Sequence, residues 1–435
     1  MRIKRNLLLL MFLMGTAIVV HSKNEAFFNA VVAKDGTGSY TSVQDAINAA
    51  PANRTTPWII FVKNGSYEEH IIVPENKPFV HLIGQDKERT IIHLKLNVGG
   101  KPKEGVKPQD ATYWATSVHN PKSPVYQFEG SVVTVKATDF FTENISYVND
   151  YGVDAQNGPQ ALAMKLRNDR STFNNCILRS FQDTWMTSTN DAHRLYVKGC
   201  WIEGAVDYFY GGGDALVEES TLYNVRAGSV IVAPCQDKAK FGYVFHNCVV
   251  DGNMQASNGT VTLGRPWHNT CKAVYINTLV KIPLAPEGWS NMGSIPGLFA
   301  EYNSVDTDCK PLDLAARKTD YVAFDGRKGS CRSTISYVES LQYTYDKIIK
   351  GNDNWNPKSM ITTLSFPRNF KMQNGRLSWD AVPGAIGYIL EVDGKVVDMP
   401  KSAFTTRKIT GKGKILFVRA VNQYGSLGQK ATYYL

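Results

Sequence analysis

Apolar residues come along this chain in short runs broken by glycine, asparagine and aspartate. Trp58–Val62, Val132–Val135 and Tyr243–Phe245 are such runs, rich in β-branched and aromatic residues, and they read as strands. One segment departs from this pattern. Val43, Ala46, Ile47 and Ala50 recur at helical spacing with Pro51 behind them, which predicts a helix over Ser42–Ala50.

A weak repeat organises the strands. A small or thiol residue recurs after Asn, Gly or Glu and before apolar residues: Cys176, Cys200, Ser220, Cys248, Thr278 and Ser304. The steps between them are 24, 20, 28, 30 and 26 residues, the length of one coil of a solenoid with loops of varying size. An antiparallel sandwich would show hairpin turn signals instead, and these are scarce here. The expected fold is therefore all-β, a right-handed parallel β-helix whose stacked coils share one core. The early helix is expected to cover the open edge of the first coil. Cys176 and Cys200 are expected as small inward residues, in positions where stacking would permit a disulfide.

Composition shifts near residue 352. From about Leu364 the pattern becomes that of a small antiparallel sandwich, with Leu377–Trp379, Gly387–Val392 and Ile415–Val421 as strands and Asp393-Gly394 as a hairpin turn. The organisation predicted is a leader over 1–22, a parallel β-helix over 27–357 and a C-terminal sandwich over 362–435.

The leader is read from Arg2, Lys4 and Arg5 ahead of an apolar core from Leu7 to Val20, followed by Val20-His21-Ser22. That core is 14 residues long, whereas a membrane anchor needs about 20. An exported protein with no membrane insertion after cleavage is expected. The formal charge of +9 suits an anionic polymer. No Lys/Arg stripe with interleaved aromatics appears, so nucleic acid is the weakest candidate. Seven cysteines, an odd number, are too sparse for a disulfide scaffold, and no CxxC or paired-His spacing marks a metal site.

Four motifs in consecutive coils carry chemistry. They are Gly158–Ala163 with Gln160, Phe181–Thr184 with Gln182 and Asp183, Val206–Gly211 with Asp207 and Tyr208, and Leu263–Trp267 with Arg265. Asp183 and Asp207 are 24 residues apart, and each lies seven residues after a cysteine of the repeat. They should therefore occupy equivalent positions on rungs about 4.8 Å apart. Two carboxyls that close do not ionise together easily, and one pKa should rise. An ionised carboxylate beside a protonated acid suits nucleophilic attack with acid assistance. The amides of Gln160 and Gln182 can donate to an oxyanion, Arg265 can lock a carboxylate bidentately, and Trp267 offers a face to a sugar ring. One difficulty is geometric: Gln182 and Asp183 are neighbours, so both reach one site only if the strand ends or bulges there.

At these motifs, together with Val31–Tyr40, Val62–Glu69 and Pro286–Trp289, residues 30 to 355 resemble the pectin methylesterases of carbohydrate esterase family eight. The resemblance implies that Asp207 is the nucleophile, Asp183 the general acid and later base, and Gln160 and Gln182 the oxyanion hole. It gives Arg265 and Trp267 the positioning of nucleophile and substrate, and places Tyr208 and Trp289 among the substrate-binding residues. The implied reaction needs no cofactor and no metal. The implied partner is an anionic polysaccharide, methylated homogalacturonan, met by a monomer. The third motif here is Asp207-Tyr-Phe-Tyr-Gly211 where the family has Asp-Phe-Ile-Phe-Gly, and an insertion runs from Asn97 to Pro124 with Tyr113 and Trp114 inside it. The C-terminal segment, with Trp379–Gly384 and Val421–Gly425, resembles a fibronectin type III domain. Two rival readings are a β-helix polygalacturonase or lyase, and a glycan-binding protein without activity.

Overall fold

The computed structural model describes residues 27–98, 130–362 and 364–435. The leader over 1–22 and most of the insertion, including Tyr113 and Trp114, lie outside these residues. No helix among the described residues is long and apolar enough to cross a membrane.

Three parallel sheets of ten, eight and seven strands form the faces of a right-handed parallel β-helix. Each coil contributes one strand to each face and the next coil pairs in register above it. Phe141, Thr172 and Tyr196 thus stack as one column of the ten-stranded face. Inward residues of the three faces form a single core. An aromatic series runs up it: Phe173 against Trp185 at 4.5 Å, Trp185 against Phe209 at 5.3 Å, and Phe209 against Tyr243 at 4.9 Å between ring centroids.

The sequence repeat marks one corner of every coil. Asn175, Gly199, Glu219, Asn247, Asn277 and Asn303 all have positive φ, between 52° and 61°, and turn the chain from the ten-stranded to the eight-stranded face. Asn and Gly tolerate this left-handed conformation best, which is why they dominate the position. The next residue in each case is the small one, and Cys176, Cys200, Ser220, Cys248, Thr278 and Ser304 are all buried inside the corner. Both Cys176 and Cys200 are free thiols.

The predicted helix is present as Val43–Asn48, capped by Ser42, whose side chain accepts from the Asp45 backbone. It buries Val43, Ala46 and Ile47 against the first strands. This closes the apolar end of the solenoid.

At the C-terminus the order of the four-stranded antiparallel sheet is Lys395–Asp398, Gly387–Val392, Ile415–Val421, Ala431–Tyr434, beside a hairpin of Lys371–Gln373 and Arg376–Ser378. Asp393 and Gly394, both at positive φ, make the hairpin turn that the sequence indicates. The sheet has its own core around Leu377, Trp379, Tyr388 and Leu416. Its other face is not free. Ile389, Val421 and Leu427 pack into a second apolar cluster with Phe28, Phe61, Ile83 and Phe141 of the solenoid. Burial of each such side chain contributes about 2 kcal/mol. Within this interface the Glu143 carboxylate accepts from the Leu427 backbone N–H at 2.9 Å, from the Ser426 hydroxyl and from the Asn174 amide. The two units are joined as a packed body.

Candidate active site

Asp183 and Asp207 sit at a second set of corners, where the chain enters the seven-stranded face. Their φ values are 62° and 49°, so both carboxylates leave the backbone from a left-handed turn. This resolves the difficulty raised by the adjacent Gln182 and Asp183: alternation does not hold at the corner. Gln182 pairs with Val206 and Trp185 with Phe209 on the next coil, which places Asp183 directly under Asp207.

Arg265 arrives from two coils further on. Its Nε donates to Asp207 Oδ1 at 2.8 Å and its Nη2 to Oδ2 at 2.7 Å, a planar two-bond lock. Gly264 makes this approach possible, since a Cβ there would lie 2.4 Å from Val232 Cγ2. Trp289 packs behind it, and the Ser290 backbone donates to the Gly264 carbonyl.

A cavity of about 310 Å³ opens in front of Asp183, lined by Gln160, Leu162, Lys165, Met186, Tyr210 and Trp267 among others. Tyr210 meets the Trp267 ring edge to face at 5.6 Å. Val98 and Met292 close the apolar side. Gln182 is half-buried against Gly158 and is not among the residues that line the cavity.

Electrostatics separate the two carboxyls. Burial, and then the neighbouring charge of Asp207, push Asp183 far above its ordinary 3.8, against smaller opposing pulls from Arg265 and from a hydrogen bond with Tyr210. Burial also raises Asp207, but hydrogen bonding and charge from Arg265 oppose it directly. Asp183 therefore holds the proton and Asp207 the charge.

Two expected substrate contacts are corrected by this geometry. Tyr208 is fully buried, and its hydroxyl donates to Asn224 inside the core. The register of its strand shifts between Val206 and Phe209, so Tyr208 and Phe209 both turn into the core and Tyr210 faces the cavity instead. Gly211, at φ 113°, ends the strand where a Cβ would strike the Ser188 carbonyl. Trp289 is likewise 1% exposed, stacked on Phe299 at 4.7 Å. It supports the Arg265 segment and does not reach the cavity. Tyr210, Lys165 and Met186 are site residues that the sequence reading missed. The departure of the third motif from the family pattern was the available signal for Tyr210. Among the described residues, no three His, Cys, Asp or Glu side chains gather as a metal site.

Fold and site together define a right-handed parallel β-helix protein with aspartates paired on adjacent coils, Asp183 lining the cavity and Asp207 buried beside it. More closely, the chain belongs to the pectinesterase family, whose model matches residues 29–352. It is 31% identical over 267 residues to pectinesterase 31 of Arabidopsis thaliana, covering 60% of this chain and 77% of that one. It is 26% identical over 345 residues to a probable pectinesterase/pectinesterase inhibitor 23 of the same plant, covering 77% of this chain. It spans about half the length of that relative, 54%. Among solved structures, a pectin methylesterase from carrot superposes with a TM-score of 0.60 at 21% identity, covering 77% of this chain and 97% of that one. A pectin methylesterase from Erwinia chrysanthemi gives 0.57 at 22%, covering 76% and 98%. At these identities the structural likeness establishes the fold.

Proposed function

We propose that the protein hydrolyses the C6 methyl esters of methylated homogalacturonan, giving pectate and methanol, with Asp207 as nucleophile and Asp183 as acid and then base. The observation that carries this reading is the Arg265–Asp207 lock one rung above a carboxyl raised by burial. An ionised nucleophile beside a protonated acid is what acyl transfer requires.

In the first half-reaction an Asp207 carboxylate oxygen attacks the ester carbonyl. The tetrahedral oxyanion is met by the amides of Gln160 and Gln182, each donor worth about 3 kcal/mol. The C–O bond to the methoxy group then breaks, and the Asp183 proton passes to the departing oxygen, releasing methanol. The result is an anhydride between Asp207 and the galacturonyl group. In the second half, Asp183, now ionised, takes a proton from water, whose oxygen attacks the galacturonyl carbon. The bond to Asp207 breaks, which restores its carboxylate and the Asp183 proton.

Trp267 and Tyr210 offer aromatic surface to the sugar, and Lys165 brings positive charge to the cavity wall. The family match, and the pectin methylesterase relatives above, support the substrate class. The leader supports export, and residues 27–357 form the catalytic unit of a monomer, with a fibronectin-like module over 362–435.

The test is incubation of the purified mature chain with highly methylated pectin, reading methanol and polymer length together. Methanol with unchanged length is expected. Shortened polymer without methanol would transfer the site to a depolymerase.

A further inference from the structure

The C-terminal sheet has no part in the chemistry above, yet it is docked on the solenoid with care. The tip of its Asp393-Gly394 hairpin is held by two solenoid amides: Asn64 Nδ2 and Gln85 Nε2 both donate to the Gly394 carbonyl, at 3.1 and 2.8 Å. Gly394 sits at φ 74°, and a Cβ there would collide with the Arg89 guanidinium. This contact forms the floor of a cleft of about 660 Å³ between the two units, roughly twice the 310 Å³ of the cavity in front of Asp183.

The walls of this cleft are cationic: Lys63 and Arg89 from the solenoid, and Lys395, Arg407 and Lys408 from the sheet. The acids nearby are already engaged. Asp393 pairs with Lys414 at 2.7 Å, Asp86 with Arg89 at 3.0 Å, and Asp35 accepts from the Thr37 hydroxyl and backbone. Asp398 accepts two 2.6 Å hydrogen bonds from Thr406 and stands 3.8 Å from Arg407. Among the described residues, neither Lys395 nor Lys408 makes an ion pair. Among the described residues Lys63 donates only to Thr37; burial lowers its pKa, the neighbouring Asp35 opposes this, and repulsion from Arg407 adds a smaller lowering. The five cations outnumber Asp35 and Asp393, the two acids that line the cleft, and like charges in excess oppose the packing that gathers them. Such an arrangement is relieved by an anion.

The cleft is remote from the catalytic carboxylates. Lys63 follows a strand of the first full coil, and Asp183 lies three coils further along, about 14 Å along the axis. Thr37 and Thr410 line the cleft as well, which suits a ligand carrying hydroxyls between its charges.

We propose that this interdomain cleft is a second, non-catalytic binding site for a polyanionic saccharide, namely a stretch of unesterified galacturonate. It rests on the esterase reading for the identity of the polymer. It gives the C-terminal sheet a function: it supplies one cationic wall. De-esterified stretches, the product of the reaction, would be gripped here while methylated ones are presented to Asp207. The grip raises the local concentration of polymer without touching the reacting ester.

The test measures binding of the full mature chain to immobilised unesterified polygalacturonate at fixed ionic strength. Three proteins are compared: the wild type, a Lys395→Gln/Lys408→Gln double variant, and a Lys347→Gln/Lys371→Gln double variant that removes the same charge outside the cleft. The cleft variant should bind about tenfold more weakly, with the control within about twofold. Methanol release from a short methylated oligomer should be unchanged in both. Equal weakening in the two doubles, or none in the cleft variant, would overturn the site. Equal affinity of the wild type for chondroitin sulfate would overturn the galacturonate assignment. If methanol release were absent from the wild type while cleft-dependent binding persisted, the esterase reading would fall and the site would stand.

Discussion

Arg265 grips Asp207 through two hydrogen bonds of 2.8 and 2.7 Å, and the carboxyl of Asp183, in the same left-handed corner one rung below, is left to hold a proton. Two aspartates in similar left-handed corners differ because burial and the charge of Asp207 raise Asp183, while Arg265 hydrogen-bonds only Asp207 and opposes the rise there. Arg265→Lys keeps the charge and loses the planar fork. Methanol release should fall about a hundredfold, with the circular dichroism spectrum unchanged. Activity within about threefold of wild type would remove Arg265 from the account.

The proton on Asp183 sets a pH dependence. Its folded pKa lies well above 3.8, so between those values the native chain binds a proton that the unfolded chain has released. Stability therefore falls as pH rises through that window. Asp183→Asn removes the titrating group, so its melting temperature should exceed that of wild type at pH 7 and the gap should narrow toward pH 4. Its methanol release should be nearly lost. A variant less stable than wild type at pH 7 would contradict the buried-acid assignment.

Tyr208 and Tyr210 are two residues apart and should behave oppositely. Hydrogen bonding from Tyr210 lowers the pKa of Asp183, so Tyr210→Phe should move the alkaline limb of the kcat/KM profile to higher pH. Tyr208→Phe removes a buried hydrogen bond to Asn224 and should cost about 1 kcal/mol of stability, with the pH profile in place. Denaturant unfolding and pH–rate profiles of both variants check this. A Tyr208→Phe profile that shifted while that of Tyr210→Phe did not would reverse the placement of the two rings.

Glu143 ties the C-terminal sheet to the solenoid. Glu143→Ala leaves the Ser426 hydroxyl, the Leu427 N–H and the Asn174 amide without their acceptor. Stability should drop by about 2–4 kcal/mol, read by denaturant unfolding. An unchanged midpoint would show that the contact carries no weight.

Much of this architecture is legible in the chain. The corner residues repeat because a left-handed turn selects Asn and Gly, and the small residue after each is the one that fits inside the corner. That spacing alone places Asp183 under Asp207. The register shift before Phe209 is silent in the pattern, because both Tyr208 and Tyr210 suit either face, so the pattern does not show that Tyr210 is the one that lines the cavity. Trp289 misled for a related reason: a tryptophan near a site motif packs as well behind a ligand as in front of it. Lys165 was hidden within an apolar strand. The docking of the C-terminal sheet joins residues nearly 300 positions apart, as in the Glu143–Leu427 contact, and no local pattern encodes such a pairing.

The central claim is that Asp207 is the nucleophile. The most direct test is the rate of methanol release from highly methylated pectin by Asp207→Ala beside the wild type, at matched protein concentration and pH. The account predicts a fall of at least about a thousandfold with the fold intact. Release within about tenfold of wild type would mean that another group attacks the ester.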